Sequence, residues 1–181
     1  MPKQEDAPHR IELNLRKIGQ LFNTMDPAPF PEKDLDGDAE EFIFSWVQEF
    51  PLDEPVVLVV HLSEFPADQN AQSVIEQGVH HYFAYRARLN RMEFRQLLKE
   101  GQQTLIIGVL FLAGCLAAGH AIGGVESGTF RGIIRESLTI AGWVAMWRPM
   151  QIYLYDWWPL RRRGKLYVKL SRMKVEVRKK S

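Results

Sequence analysis

Hydrophobic positions along this chain change period several times, and each change predicts an element. From His9, HRIELNLR alternates, with Ile11, Leu13 and Leu15 on one side and Arg10, Glu12, Asn14 and Arg16 on the other, the period-two pattern of a half-buried strand. Val56 to Leu62, VVLVVHL, is a β-branched apolar run between Pro55 and the polar SEFPAD, and predicts a more deeply buried strand. MKVEVR, Met173 to Arg178, alternates again and predicts a third strand in the same small sheet. Between the first two runs, Pro27, Pro29 and Pro31 make an extended loop. A helix then starts, with Asp36 or Asp38 as cap, Glu40 and Glu41 in the first turn, and Phe42, Ile43, Trp46, Val47 and Phe50 as an apolar stripe that Pro51 ends.

From Asp68 to Glu100 there is no proline, and Ile75, Val79, Tyr82, Phe83, Arg86, Leu89 and Met92 fall at helical spacing. The pattern then turns apolar on all sides. Gly101 to Val125 holds twenty-five residues with no Asp, Glu, Lys or Arg, and the stretch from Thr104 to Gly123 has the roughly 20 residues needed to cross a hydrocarbon core ~30 Å thick. A weaker apolar run follows. Ser137 to Trp147 is uncharged, Arg148 and Pro149 interrupt it, and MQIYLYDWWPL continues it. These patterns predict an α+β cytoplasmic domain, a small sheet with helices, joined to a transmembrane helical hairpin. The expected divisions are an α/β part over 1–68, a helical stalk over 68–103, membrane helices over 104–123 and 133–155, an external loop over 124–132, and a basic tail over 156–181.

Charge orients this arrangement. The net charge of +1 conceals a division: Met1 to Glu64 carries fourteen acidic against five basic residues, and Arg86 to Ser181 eighteen basic against six acidic. Around the two apolar runs, Arg86, Arg88, Arg91, Arg95 and Lys99 precede the first, and Arg161, Arg162, Arg163, Lys165 and Lys169 follow the second. The connecting loop has only Arg131 and Arg135. A basic excess marks the cytoplasmic face, so both termini are expected inside a bacterial inner membrane, beside its anionic inner leaflet. The same clustering accounts for the basic half without nucleic acid. Trp143, Trp147, Tyr153, Tyr155, Trp157 and Trp158 then gather at the headgroup zone, which favours amphipathic rings. The first fifteen residues lack the basic and then apolar run of a secretory signal.

Small residues at four-residue spacing offer a seam for helix contact, Gly114 with Ala118 and Gly119 with Gly123 on the first span, Ser137, Ala141 and Ala145 on the second. They suit pairing within the hairpin and pairing between two copies alike, so a homo-oligomer stays open. Cys115, the one cysteine, lies in the first span, which excludes a disulfide framework.

Candidate chemistry is sparse. DLDGDAEE resembles a calcium loop, but its sixth position is Ala39 where a sharp turn needs Gly, and its twelfth is Ser45 where a bidentate Glu is needed. His80 and His81 are adjacent, about 100° apart on a helix, and cannot share a metal from one face. GGVESG lacks the Lys and Ser/Thr of a phosphate loop. No catalytic residue, metal or cofactor is expected. The charged or aromatic groups within or beside the spans, Arg148, Asp156, Trp147, Trp157, Trp158 and His120, are the membrane-interface candidates, with Arg148 either functional or a snorkelling anchor. Asp156, eight residues on, is a candidate partner for Arg148, Arg91 or Arg95. Phe22, Asp26, Pro27, Pro29 and Phe30, in a proline-rich acidic segment, are the partner-binding candidates.

The runs LFNTMDPAPFPEKDLDGDAEEFI, HHYFAYRARL and WVAMWRPMQIYLYDWWPLRRR, spread over most of Ile11 to Val177, resemble an uncharacterised bacterial two-span membrane protein family with an N-terminal cytoplasmic α/β domain. The resemblance implies a fold and a location and carries no activity. Two functions are expected from different classes: a membrane-tethered scaffold or adaptor for an unknown protein partner, or a subunit of an oligomeric transporter or channel with Arg148, His120 and Thr139 at a pore. A lipid-headgroup enzyme using Asp156 with Arg161 to Arg163 is a third.

Overall fold

A computed structural model of the protein describes residues 8–29, 32–64, 70–123 and 128–180. The elements are β1 (His9–Leu15), α1 (Gly37–Glu49), β2 (Val56–Leu62), α2 (Ala71–Gly123), α3 (Thr129–Ala145), α4 (Trp147–Gln151), a π-helical turn (Ile152–Asp156), α5 (Trp157–Leu170) and β3 (Lys174–Lys179). The chain divides into two compact units, Met1–Asn90 with Arg162–Ser181, and Arg91–Arg161.

The first unit is a three-stranded sheet in the order β1-β2-β3 with both pairings parallel, Ile11 opposite Leu58 and Leu58 opposite Val175. Parallel neighbours need a crossover between them, and each connection here carries helix. α1 joins β1 to β2, and the long excursion from α2 through α5 joins β2 to β3. Asp36 caps α1, its carboxylate accepting from the Asp38 N–H at 3.1 Å. The helices present one stripe each to a common core: Ala39, Ile43 and Val47 from α1, Ala71, Ile75, Val79 and Phe83 from α2, Leu166, Tyr167 and Leu170 from α5. Alternate residues of the strands meet them, Ile11 and Leu13, then Val56, Leu58, Val60 and Leu62, then Val175. β2 is buried along nearly its whole length, as the central strand of a parallel sheet must be.

A polar cluster ties the helices together at the edge of this core. Arg86 Nε lies 2.8 Å from Glu40 Oε1, the Tyr82 hydroxyl donates to Glu40 Oε2 at 2.5 Å, and Arg86 Nη2 donates to the Tyr167 hydroxyl at 3.1 Å. Burial and the adjoining Glu40 carboxylate push the Tyr82 phenol well above its usual range, so it stays a neutral donor. Arg86 also lies over the Tyr167 ring, 5.4 Å from its centroid.

The second unit contains the rest of α2, α3, α4 and the π turn. Glycine neighbours give the register of an antiparallel helix pair: Gly101 faces Ile152 and Tyr153, Gly108 faces Ala145 and Met146, Gly142 faces Leu112 and Cys115, and Gly119 faces Arg135. α2 is long and apolar enough to cross a membrane; its most apolar window has mean hydropathy 2.3 with only 17% of it buried, unlike a soluble core helix. The facing helix starts at Thr129, four residues before the sequence pattern suggests, and α3 ends after 17 residues at Met146. Pro149 accounts for the interruption: it has no N–H to donate to the Ala145 carbonyl four residues back.

Where α2 and α5 cross within the first unit, a Cβ on Gly164 would stand 2.4 Å from Asn90 Oδ1. Asn90 is only 4% exposed, and its Nδ2 has no hydrogen-bond partner among the described residues. Gly164→Ala is therefore expected to destabilise the protein by about 1–3 kcal/mol through overpacking. Adding Asn90→Ala should recover much of that loss, a positive coupling that a double-mutant cycle on thermal or denaturant unfolding would measure.

Candidate functional site

The helix pair of the second unit packs along a stripe of small residues. Gly101, Gly108, Cys115 and Gly119 on α2 are buried at spacings of seven, seven and four, as are Gly142, Pro149 and Ile152 on the facing helix. Close backbone approach is what such a seam supplies. At Gly108 a Cβ would meet the Ala145 carbonyl oxygen at 3.1 Å, so the carbonyl that Pro149 leaves without its usual donor points at a glycine. Of the small residues singled out in the sequence, Gly119 and Ala145 lie on this seam. Gly114 opens onto free space, and Ala118, Ser137 and Ala141 are exposed.

Arg148 sits beside the seam's end. Its Nη2 donates to Glu100 Oε1 at 2.6 Å and its Nη1 to Asp156 Oδ2 at 3.1 Å. Residues eight apart on an α-helix differ by about 80° in direction. The wider π turn over Ile152–Asp156 takes less rotation per residue and brings Asp156 round toward Arg148. The triad carries a net negative charge, so Arg148 is not a free cation for an anion. Asp156 pairs with Arg148; no ion pair joins it to Arg91 or Arg95. Glu100 was not among the sequence candidates. Its signal was available: it is the last acidic residue before the first apolar run, and Arg148 is the cation near the end of the second.

Aromatic groups surround this end. Trp147, Trp158 and Tyr155 are 70%, 65% and 69% exposed, Trp157 donates its Nε1–H to the Tyr153 carbonyl at 2.8 Å, and Arg161 lies over the Trp157 ring. Trp147, Met150, Gln151, Leu154 and Tyr155 line a shallow apolar groove. His120 is exposed and Thr139 returns its hydroxyl to the Arg135 carbonyl, so neither converges with Arg148.

In the first unit, the loop after β1 turns on Asp26. Its carboxylate accepts from the Asp34 N–H at 2.7 Å and the Ala28 N–H at 2.9 Å, and these donors hold the carboxyl below its usual range. Phe22 is buried, whereas Met25, Pro27 and Pro29 are exposed. Phe30 lies outside the described residues. Among the described residues no group of His, Cys, Asp or Glu could hold a metal ion. His80 donates its Nε2–H to the Met173 carbonyl at 2.7 Å, and His9 stacks on Phe50 beside Glu54.

Compared with known protein families, curated proteins and solved structures, the chain matches none.

Gly142→Val should destabilise the helix pair, because its Cβ alone would lie 2.7 Å from Leu112 Cδ1, while Gly114→Val, which enters open space, should be close to neutral. Arg148→Met is expected to cost less than Gly142→Val, and less at high salt than at low salt, because the triad is exposed. Thermal unfolding in mild detergent would rank the three. For Asp26 the sign is that of a lowered carboxyl: its contribution is complete above the unfolded pKa of about 4 and is lost as pH falls through the lower folded value. Asp26→Asn should accordingly be less stable than wild type at pH 7, with the difference narrowing in acid.

Proposed function

We propose that the chain is a two-span inner-membrane protein whose α+β unit serves as a cytoplasmic scaffold or adaptor. One observation carries the topology. β3 is hydrogen-bonded beside β2 in one sheet, yet the apolar stretch of α2 lies between them in sequence. A sheet occupies one compartment, so if α2 crosses a bilayer the chain must cross back before Lys174, and an even number of crossings follows. The segment able to make the return is the apolar, outward-exposed helix from Thr129, with Phe130, Ile133, Ile140, Trp143 and Val144 each more than half exposed. Lipid satisfies that surface where water would not. The excess of basic residues flanking the two runs favours a sheet on the inner side.

The adaptor part rests on the loop held by Asp26, which presents Met25, 90% exposed, with Pro27 and Pro29 on a fixed turn. A pre-set loop loses little entropy on binding. The transporter reading has less support, since Arg148 is already satisfied by two carboxylates and neither His120 nor Thr139 faces it. The resemblance to a two-span family accords with this reading and adds no activity to it.

For topology, a Cys115→Ala background carrying Ser127→Cys should react with a membrane-impermeant maleimide in intact cells, and one carrying Ser171→Cys only after permeabilisation. Labelling of both, or of neither, in intact cells rejects the two-span arrangement. For the adaptor role, cross-linking in native membranes should lose a specific product when Met25→Glu, Pro27→Ser and Pro29→Ser are combined; an identical set of products rejects the loop as the docking surface.

A further inference from the structure

The two edges of the sheet are treated differently. On β3 two outward backbone groups are occupied, as is the carbonyl just before the strand: the Gln72 side chain donates to the Val175 carbonyl at 2.6 Å and accepts from the Val177 N–H at 2.8 Å, and His80 reaches the Met173 carbonyl. Gln72 thus stands in for a neighbouring strand. β1 has no such cover. His9 N–H donates to the Pro55 carbonyl and the Leu15 carbonyl accepts from Ser63, so odd-numbered residues of β1 turn toward β2. The N–H and C=O groups of Arg10, Glu12 and Asn14 turn away, with no partner among the described residues, and all three side chains are exposed. An open strand edge is a template for strand addition.

We propose that this edge docks a second copy of the chain, the two β1 strands pairing antiparallel about Ile11 to give one continuous six-stranded sheet. The choice of occupant comes from the charges. Pairing centred on Ile11 sets Arg10 of each copy opposite Glu12 of the other, two reciprocal opposite-charge pairs on the sheet face away from the helices. The same register places outward-facing backbone opposite outward-facing backbone, so Arg10 and Glu12 exchange both N–H···O bonds and the Asn14 N–H meets the Pro8 carbonyl, which needs no donor from proline. Sliding either strand by two residues puts Glu12 against Glu12 or Arg10 against Arg10. The edge is therefore self-complementary in one register and repulsive in its neighbours, as a twofold contact requires. The pairing rests on the sheet alone and is independent of the membrane reading.

The full-length protein, in mild detergent or in buffer according to where it partitions, is tested by light scattering after size exclusion. Wild type should be a dimer. Arg10→Glu or Glu12→Arg alone should each raise the dimer dissociation constant roughly tenfold by turning two attractive pairs into like-charge pairs. Combining them as R10E/E12R should restore it, and a mixture of the two single variants should form a heterodimer. Glu12→Pro, whose lost N–H points outward and spares the ladder to β2, should abolish pairing with unchanged circular dichroism. A monomeric wild type, a dimer insensitive to the single reversals or to Glu12→Pro, or a failure of the double reversal to restore pairing overturns the proposal.

Discussion

Hydrogen bonds between β2 and β3 constrain everything else in this chain. They join Val56–Leu62 to Lys174–Lys179 across more than a hundred intervening residues, all of which must leave the sheet and return to it. Closing so long a loop costs little more than closing a medium one, because the entropy grows only with the logarithm of length. What makes the closure hold is that both arms of the excursion contribute to the core on the way out and on the way back. α2 leaves through Ile75, Val79 and Phe83; α5 returns through Leu166, Tyr167 and Leu170. The crossover that a parallel pair requires has been extended into a second compact unit without being detached from the first.

The second unit solves a packing problem with little chemistry available. Its outward surface is large and apolar, and were lipid to surround it, contact between its helices would gain nothing from hiding more of the same. Shape does the selecting instead: Gly101, Gly108 and Gly142 allow an approach at which a Cβ would be crowded, 3.0, 3.1 and 2.7 Å from the facing helix. Pro149 and the π turn look like defects in a helix. Taken with their neighbours they have consequences, since one breaks the helix where the Ala145 carbonyl meets Gly108 and the other turns Asp156 toward Arg148. Glu100 completes that group from α2, so the ion triad adds a polar contact consistent with the register the glycines set.

Much of the first unit was legible in the residues. Alternation at Ile11, Leu13 and Leu15 and at Val175 and Val177, and the unbroken run in β2, marked the strands, and Asp36 marked the start of α1. Periodicity says which face of an element is buried, and the strand faces are as expected; on α1 the buried stripe is Ala39, Ile43 and Val47, with Phe42 and Trp46 of the expected stripe exposed, as is Met92 on α2. It says nothing about which elements meet. Gln72 as a cap on β3, the Glu40–Arg86–Tyr167 cluster, and Asn90 against Gly164 all pair residues from distant segments, and no local pattern encodes them. The seam failed to be read for a related reason. Small residues at four-residue spacing occur on several faces of α2, and Gly114 fits the spacing as well as Gly119 does, but only the facing helix decides which stripe is used.

The contrast between the two sheet edges follows from the same topology. A strand that closes a crossover lies next to the helix that begins it, so β3 has α2 beside it, and Gln72 and His80 are in reach of its backbone. β1 has no preceding helix among the described residues, and none of these covers its outward backbone. Natural sheets usually guard a bare edge with charge, and β1 does carry Arg10 and Glu12. Charges of one sign would repel every copy; opposite charges two residues apart repel all registers near the one centred between them and favour that one. Alternating Arg10 and Glu12 thus work against indiscriminate strand addition while permitting a single specific contact.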